Sequence, residues 1–363
     1  MSGRVVDWSR VFHAYGTATD TGEVLRGPLA DAGDHLWSAI LHQGSVWPAT
    51  PEVLRIVGGR LREAPLVGLA FVRDVASSVN VGVEAEELRA RVAATPTEEW
   101  IAAYVAADED EQVDMWDDDE GDVVLAGAAL DCWDLLPELV GPVSEFLEDP
   151  DPQVRAQAWA AAGRLLLHPE AAVRRPELLP RLARLAAAAE SVEERASLVM
   201  DLGEFGGDPT PFLSDPSPLV RCAAAMTPPL ADDPAAHEEL LRMAATPTEF
   251  DALNGLPRFA GEPPRWTLIA VLSRRPVAPS RLYEPALAAL PHAFRIAPCP
   301  DLGPYLEALF ADGWPEEPAP EQRDLARAIA SDDTLWSPIN GNRKITLRGL
   351  GLPGEREAWQ ALG

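Results

Sequence analysis

The segment from residue 147 to residue 166 constrains the fold of this chain more than any other. It reads LEDPDPQVRAQAWAAAGRLL. Asp151 is suited to the N-cap of a helix and Pro152 to its first turn, where a missing backbone N–H does no harm. Small and apolar residues then follow at helical spacing on one face: Val154, Ala158, Ala161 and Leu165. The segment therefore predicts a turn and an amphipathic helix that another helix can approach closely.

This turn and helix recur along the chain. A second amphipathic helix follows, indicated by Leu178, Leu182, Leu185 and Ala189, and it completes a helix–turn–helix tile of roughly 40 residues. In the next tile, VEERASLVMDLGEFG, Arg195 and Gly203 stand 40 positions after Arg155 and Gly163. A third start, LSDPSPLVRCAAAM, repeats the first with Arg221 in the place of Arg155. The pattern predicts an array of helix pairs.

These tiles resemble HEAT repeats, in the Asp-Pro before the helix, the Val-Arg at its start and the alanines on its contact face. The resemblance implies an all-α fold, a HEAT-like α-α superhelical solenoid with degenerate terminal repeats. It also implies that Asp151, Arg155, Asp215 and Arg221 are structural residues that tie adjacent tiles together.

The two ends of the chain carry a second resemblance. The segments DHLWSAILHQGSVWPATPEVL and LWSPINGNRKITLRGLGLPGEREAWQAL are similar to the terminal segments of uncharacterised actinobacterial HEAT-repeat proteins. That resemblance implies one continuous array and transfers no activity.

The sequence divides into four segments on this interpretation. We expect degenerate N-terminal helical repeats over 1–107, an acidic loop over 108–122, HEAT-like repeats over 123–245, and degenerate C-terminal repeats with a cap over 246–363. The sequence also predicts two separate helices over 122–136 and 138–147.

Composition limits the partners and the compartment. Lys and Arg number 30 against 58 Asp and Glu, a formal charge of −28. The chain therefore repels nucleic acid and anionic membranes, and its charge favours a basic protein or peptide, or a bound cation. The three cysteines are isolated, which argues against a disulfide framework. No apolar run approaches the roughly 18 residues that a membrane span needs, and the N-terminus lacks a signal core. We expect a cytoplasmic protein.

The densest feature is DEDEQVDMWDDDEGD, with ten carboxylates from Asp108 to Asp122. Because like charges repel, we expect an exposed loop, which is either a plain solvated linker or a surface for a basic partner. If the segment is a surface for a basic partner, Trp116 is the aromatic anchor. The carboxylates that bind the partner's cations are then Asp117, Asp118, Asp119 and Glu120.

The same segment has a metal-binding alternative. Asp118, Asp119 and Asp122 match Asp-Asp-x-x-Asp, the Mg²⁺ and diphosphate motif of all-helical terpene synthases, and two carboxylates one turn apart can share a metal ion. Any run this acidic contains the motif by chance, the second metal motif of those enzymes is absent, and Gly121 is expected to interrupt the helix. The segment does not fit an EF-hand, because Trp116 and Gly127 fall where that loop needs carboxylates.

His42 and Trp47, in HQGSVWPAT, open two interpretations. In the first, Gly44 ends a helix, His42 bonds to its last carbonyls and Trp47 packs under the loop. In the second, His42 and Trp47 form a polar and aromatic patch that binds a partner. His13, His35 and His42 can lie near one another, but their spacing implies no ligand triad.

No catalytic motif emerges from the remaining residues. A single His-Glu pair, His237–Glu238, is too few for HEAT-like di-iron chemistry, and neither a Gly-x-Ser-x-Gly elbow nor a Walker loop occurs. The sequence therefore favours a non-enzymatic cytosolic helical-repeat scaffold that binds a protein or peptide, without a cofactor. The alternative is a Mg²⁺-dependent enzyme or a binder of diphosphates or isoprenoids that uses residues 117–122.

Overall fold

The structure, a computed structural model, describes residues 6–79, 85–115, 119–293, 299–338 and 342–363. In these ranges helices predominate, and strand structure amounts to one antiparallel hairpin. Its strands, β1 (Phe12–His13) and β2 (Gly16–Thr17), pair Phe12 with Thr17. The predicted all-α class is confirmed.

The chain forms two compact units, Met1–Leu178 and Leu179–Gly363. The four-segment division made from the sequence stays a prediction. The helices that begin in the first unit are α1 (Thr21–Val24), α2 (Gly33–His35), α3 (Thr50–Gly58), α4 (Pro65–Ser78), α5 (Ala85–Ala94), α6 (Glu98–Ala106), α7 (Glu109–Asp114), α8 (Asp119–Ser144), α9 (Pro152–Leu165), α10 (Pro169–Ala172) and α11 (Arg175–Ala188).

In the first unit, one helix pair stacks on another. Helix α3 packs against α8 and α4 packs against α9, while α3 contacts α4 and α8 contacts α9. Gly58 permits the close approach of α3 to α8, since a Cβ at this position would lie 2.3 Å from Cδ2 of Leu139. Helices α5 and α6, which separate the two pairs in sequence, pack on α8. This arrangement places α3, α5, α6 and α8 around a common space.

Helix α8 corrects one prediction. It continues through Pro137 and Pro142 to Ser144, instead of breaking into two helices. Apolar residues on both sides of Pro137 are buried, including Leu136, Leu139 and Val143. Their burial outweighs the cost of the lost hydrogen bond, roughly 3 kcal/mol.

The predicted turn chemistry of the tiles is present. Asp151 accepts a hydrogen bond from the amide of Gln153 at 2.8 Å and so caps α9. Arg155 and Arg221 each donate to the carbonyl six residues earlier, to Asp149 at 2.7 Å and to Asp215 at 2.9 Å. Equivalent positions in the repeat pattern therefore make equivalent contacts.

Arg195 follows the same rule and also links two tiles of the second unit. Its guanidinium donates to the carbonyl of Ala189, six residues earlier, at 2.7 Å. It also lies 2.9 Å from the carboxylate of Asp215, which belongs to the next tile. This ion pair therefore joins two segments that the sequence pattern assigns to successive tiles.

The second unit is a succession of helices, each packed mainly on helices one or two places away in the chain. Their bounds are α12 (Val192–Glu204), α13 (Pro218–Ala225), α14 (Pro234–Ala244), α15 (Pro264–Leu272), α16 (Tyr283–Ala289), α17 (Cys299–Leu309), α18 (Pro320–Ser331), α19 (Asn342–Gly349) and α20 (Arg356–Leu362). None of the helices in the described part of either unit combines the length and apolarity of a membrane span.

Candidate functional site

A cavity of about 500 Å³ lies in the first unit, between α3, α5, α6 and α8. Its apolar wall includes Val92 of α5, Ile101 of α6 and Val124 of α8. Its polar lining includes the side chains of Glu52, Arg89, Thr97, Asp131 and Asp134. The cavity is therefore amphipathic and predominantly acidic.

Helix α8 supplies one side of this cavity because of its residue spacing. Val124, Gly127, Asp131 and Asp134 recur at intervals of three and four and so lie on one face of the helix. Gly127 and Ala128 are small, which leaves room where a larger side chain would fill the space. The same face that packs on α5 and α6 thus presents two carboxylates to an open volume.

Two of the carboxylates in the cavity have direct partners. Glu52 accepts a hydrogen bond from Arg55 at 2.8 Å, and Asp134 accepts one from Nη1 of Arg89 at 2.8 Å. The hydrogen bond from Arg89 lowers the pKa of Asp134. Both of these acids are compensated by arginine.

Asp131 is in a different situation. Within the described ranges it makes no side-chain hydrogen bond or direct ion pair. Its side chain is solvent-accessible at the cavity wall, yet desolvation by the surrounding atoms raises its pKa, and the negative charges of Asp134 and Glu52 raise it further. The positive charges of Arg55 and Arg89 lower it only in part. Asp131 and Asp134, on one helix, therefore have pKa values shifted in opposite directions, and Asp131 is the one without a direct ion-pair partner among the described residues.

A second cavity, of about 780 Å³, adjoins the Arg89–Asp134 pair on another side. Trp133 and His168 line it, with their ring centroids 4.4 Å apart. Desolvation lowers the pKa of His168, which favours its neutral form. The Arg89–Asp134 pair lines both cavities, so it forms part of the wall between them.

The acidic segment leads directly into the helix that lines the cavity. Asp119, Glu120 and Asp122 are exposed in the first turn of α8, and Gly121 is buried there. Glu109–Asp114 forms α7, so the predicted loop 108–122 is helical in much of its length. The expectation that Gly121 interrupts the helix was wrong: carboxylates are favourable at a helix N-terminus, where they offset the cost of a glycine.

The other residues predicted in this segment, Trp116, Asp117 and Asp118, lie outside the described residues. The aromatic anchor assigned to Trp116 and the Mg²⁺ site assigned to Asp118, Asp119 and Asp122 therefore stay predictions.

His42 and Trp47 take the positions of the capping interpretation. Nδ1 of His42 lies 2.7 Å from the carbonyl oxygen of Ser38, one turn earlier, and Gly44 has a positive φ of 82°. Trp47 is half-buried and packs edge-on against Phe12, with ring centroids 6.3 Å apart. The partner-binding role of His42 and Trp47 stays a prediction. Within the described ranges, His42 forms its hydrogen bonds with Ser38 and Tyr15 and none with Asp119 or Glu120.

Sequence reasoning missed the residues that line the cavity: Glu52, Arg89, Asp131 and Asp134. The spacing of Asp131 and Asp134 is a detectable signal, since it places both on one helix face. Their proximity to Glu52 and Arg89 depends on tertiary packing. Comparisons with models of protein families, with characterised proteins and with solved structures found no match to this chain.

Proposed function

We propose that this chain is a HEAT-like α-α solenoid that acts as a non-enzymatic binding scaffold in the cytoplasm. Its partner is a protein or peptide, and a basic side chain of that partner enters the cavity between α3, α5, α6 and α8. The observation that carries this proposal is the carboxylate of Asp131, which has a raised pKa and no direct ion-pair partner among the described residues, in a predominantly acidic cavity with apolar walls.

The packing of the helix pairs supports the solenoid part of the proposal. In a HEAT-like array, the first helix of one pair stacks on the first helix of the next, and the second on the second. The α3–α4 and α8–α9 pairs of the first unit pack in this way. The shared contact of Arg155, Arg195 and Arg221 with a carbonyl six residues earlier adds a repeated local feature.

The electrostatics of the cavity support a cationic ligand. A raised carboxyl pKa means that the ionised form of Asp131 is disfavoured by its surroundings, and a bound cation removes part of that penalty. The formal charge of −28 attracts basic partners over longer distances.

The shape and lining of the cavity support a side chain as the ligand. Arginine and lysine combine an apolar stem with a charged end, which suits a cavity with both apolar and acidic walls. Arginine is favoured over lysine because its planar guanidinium can bond to both oxygens of one carboxylate, here that of Asp131.

The test is a calorimetric titration of the whole chain with short amidated peptides that carry one arginine between two leucines. A peptide with glutamine in place of arginine is the matched ligand. We expect binding of the arginine peptide, and Asp131→Asn should weaken it about tenfold or more, the loss of a charged hydrogen bond of about 1.5–3 kcal/mol.

The control variant is Asp122→Asn, which removes the same charge from an exposed position on the same helix. This control distinguishes a direct contact of the peptide with Asp131 from a general attraction to the negatively charged protein. Equal weakening by Asp122→Asn and Asp131→Asn, or equal binding of the glutamine peptide, would contradict the proposed role of the cavity.

A further inference from the structure

Three potential metal ligands meet near the N-terminal hairpin, and none of them lines the cavity between α3, α5, α6 and α8. His13 belongs to β1, Asp20 immediately precedes α1, and His35 is the last residue of α2. Nε2 of His13 lies 3.0 Å from Oδ1 of Asp20, and Nδ1 of His35 lies 3.8 Å from Oδ2 of the same carboxylate. One carboxylate therefore stands between two imidazoles.

We propose that His13, Asp20 and His35 form a binding site for a divalent transition-metal ion. One ligand atom from each residue lies within 4.8 Å of the other two. Zinc binds nitrogen and carboxylate oxygen at about 2.0–2.2 Å, so tetrahedral ligands are roughly 3.4 Å apart. The group needs only a modest contraction to reach that geometry. Two imidazoles and one carboxylate suit zinc, cobalt or iron rather than Mg²⁺ or Ca²⁺.

The burial of the three residues fits a site with one open side. His13 is 3% exposed, and the side chain of Asp20 is 59% exposed. The buried imidazole provides a fixed ligand, and the accessible carboxylate has the freedom to move onto the ion. Water can occupy the remaining coordination positions, as it does in metal sites with three protein ligands.

His35 is oriented by a residue behind it. Its Nε2 lies 2.8 Å from Oγ1 of Thr21, which is fully buried. When Nε2 donates its proton to this hydroxyl, Nδ1 presents a lone pair on the side of Asp20. Metal-binding histidines are commonly oriented by such a hydrogen bond from the other ring nitrogen.

His13 links the site to Tyr15. The amide of Tyr15 donates to Nδ1 of His13 at 3.1 Å, so in the metal-free protein the proton is on Nε2, where it is donated to Asp20. A metal ion at Nε2 requires this proton to leave Nε2, and the neutral ring then carries it on Nδ1. The hydrogen bond from the Tyr15 amide is lost in that tautomer. Metal binding should therefore shift the amide resonance of Tyr15.

The experiment is a titration of the full chain, stripped of metal, with CoCl₂, followed by the visible absorption of the bound ion. We expect one equivalent to bind, with the intense visible bands of low-coordinate cobalt. His35→Gln and Asp20→Asn should each weaken binding at least about tenfold. ZnCl₂ should displace the cobalt, and a large excess of MgCl₂ should not.

Matched controls lie beside the ligands. His42→Gln removes a nearby imidazole that contacts Ser38 and Tyr15 instead of Asp20, and Asp34→Asn removes an exposed carboxylate next to His35. Both should bind cobalt as the unaltered chain does. Circular dichroism confirms that each variant is folded, and Asp20→Asn, at an accessible position, decides the question if His35→Gln is unfolded. Absence of one-equivalent binding, or equal losses in the control variants, would overturn the proposal.

Discussion

Replacing Arg258 by methionine tests how far the second unit depends on a buried ion pair. Nη1 of Arg258 donates to Asp201 at 2.6 Å, and Nη2 donates to Glu204 at 2.6 Å. Desolvation lowers the pKa of Arg258, but the charges of Glu204 and Asp201 raise it more, and the net shift is upward. The arginine is therefore held in its charged form by two carboxylates of α12.

The expected cost follows from the burial of the partners. The side chain of Asp201 is 4% exposed and that of Glu204 is 49% exposed, so water can replace the arginine at Glu204 but not at Asp201. Leaving one buried charge unpaired costs about 3–5 kcal/mol in the free energy of unfolding. The double variant Arg258→Met with Asp201→Leu should recover most of that loss, because both charges are then removed.

The assay is urea denaturation followed by circular dichroism, with Arg281→Met as the control. Arg281 pairs with Glu238, and both side chains are about half exposed, so its removal should cost much less stability than the removal of Arg258. A loss below about 1 kcal/mol for Arg258→Met, or no recovery in the double variant, would contradict the dependence of the second unit on this ion pair.

Three further predictions concern stability. Gly203→Ala should lower the free energy of unfolding by about 1–3 kcal/mol, because the added Cβ would lie 2.3 Å from Cβ of the buried Thr227. Gly141→Ala, whose added Cβ would have no atom within 4 Å, should instead raise the free energy of unfolding by about 0.5–1 kcal/mol through α8. Comparable denaturation midpoints for the two variants would contradict this prediction. Tyr305→Phe should leave the free energy of unfolding unchanged or raise it by about 1 kcal/mol, because the buried hydroxyl has no hydrogen-bond partner among the described residues. A clear loss of stability would contradict this and show that the hydroxyl has a partner. The Asp131→Asn variant should be more stable than the unaltered chain at pH 7. The raised pKa means that the folded state binds the carboxyl proton more tightly than the unfolded state does. The contribution of Asp131 to stability therefore decreases as the pH rises above 3.8, the ordinary pKa of an aspartate. In thermal melts, the variant should have a higher melting temperature than the unaltered chain at pH 7 but not below pH 3.8. An equal gain in melting temperature at both pH values would be inconsistent with a raised pKa of Asp131.

Local features of this fold could be predicted from the sequence. The N-cap at Asp151 and the helix that follows it depend on neighbouring residues, and both are present. The capping role of His42 is also local, since its partner Ser38 lies one turn earlier. Helix propensity and capping act over a few residues, so a single sequence contains the necessary information.

Features that depend on tertiary packing could not be predicted in the same way. Pro137 indicates a helix end by its own chemistry, but burial of the residues around it keeps α8 continuous. The hairpin that carries His13 has two residues in each strand, too few for an alternating pattern. Local signals are outweighed at these positions by contacts that the sequence does not display.

The candidate sites show the same limit. The acidic segment was visible as a run of carboxylates, and the histidines as isolated residues. The raised pKa of Asp131 is due first to desolvation and then to Asp134 and to Glu52, which α3 brings close to α8. Asp20 joins His13 and His35 because the hairpin and α2 meet beside it. Neither juxtaposition has a sequence signature, because each depends on elements that are separated along the chain.

The most direct test of the proposed function is the carboxyl pKa of Asp131, measured by NMR with and without the arginine peptide. In the free protein, desolvation and the charges of Asp134 and Glu52 should hold this pKa above its ordinary value of 3.8. A bound guanidinium should lower it, because a nearby positive charge favours the carboxylate. We expect the pKa of Asp131 to fall when the peptide binds. A pKa that is unchanged at saturating peptide would show that the cation binds elsewhere and would contradict the proposed site.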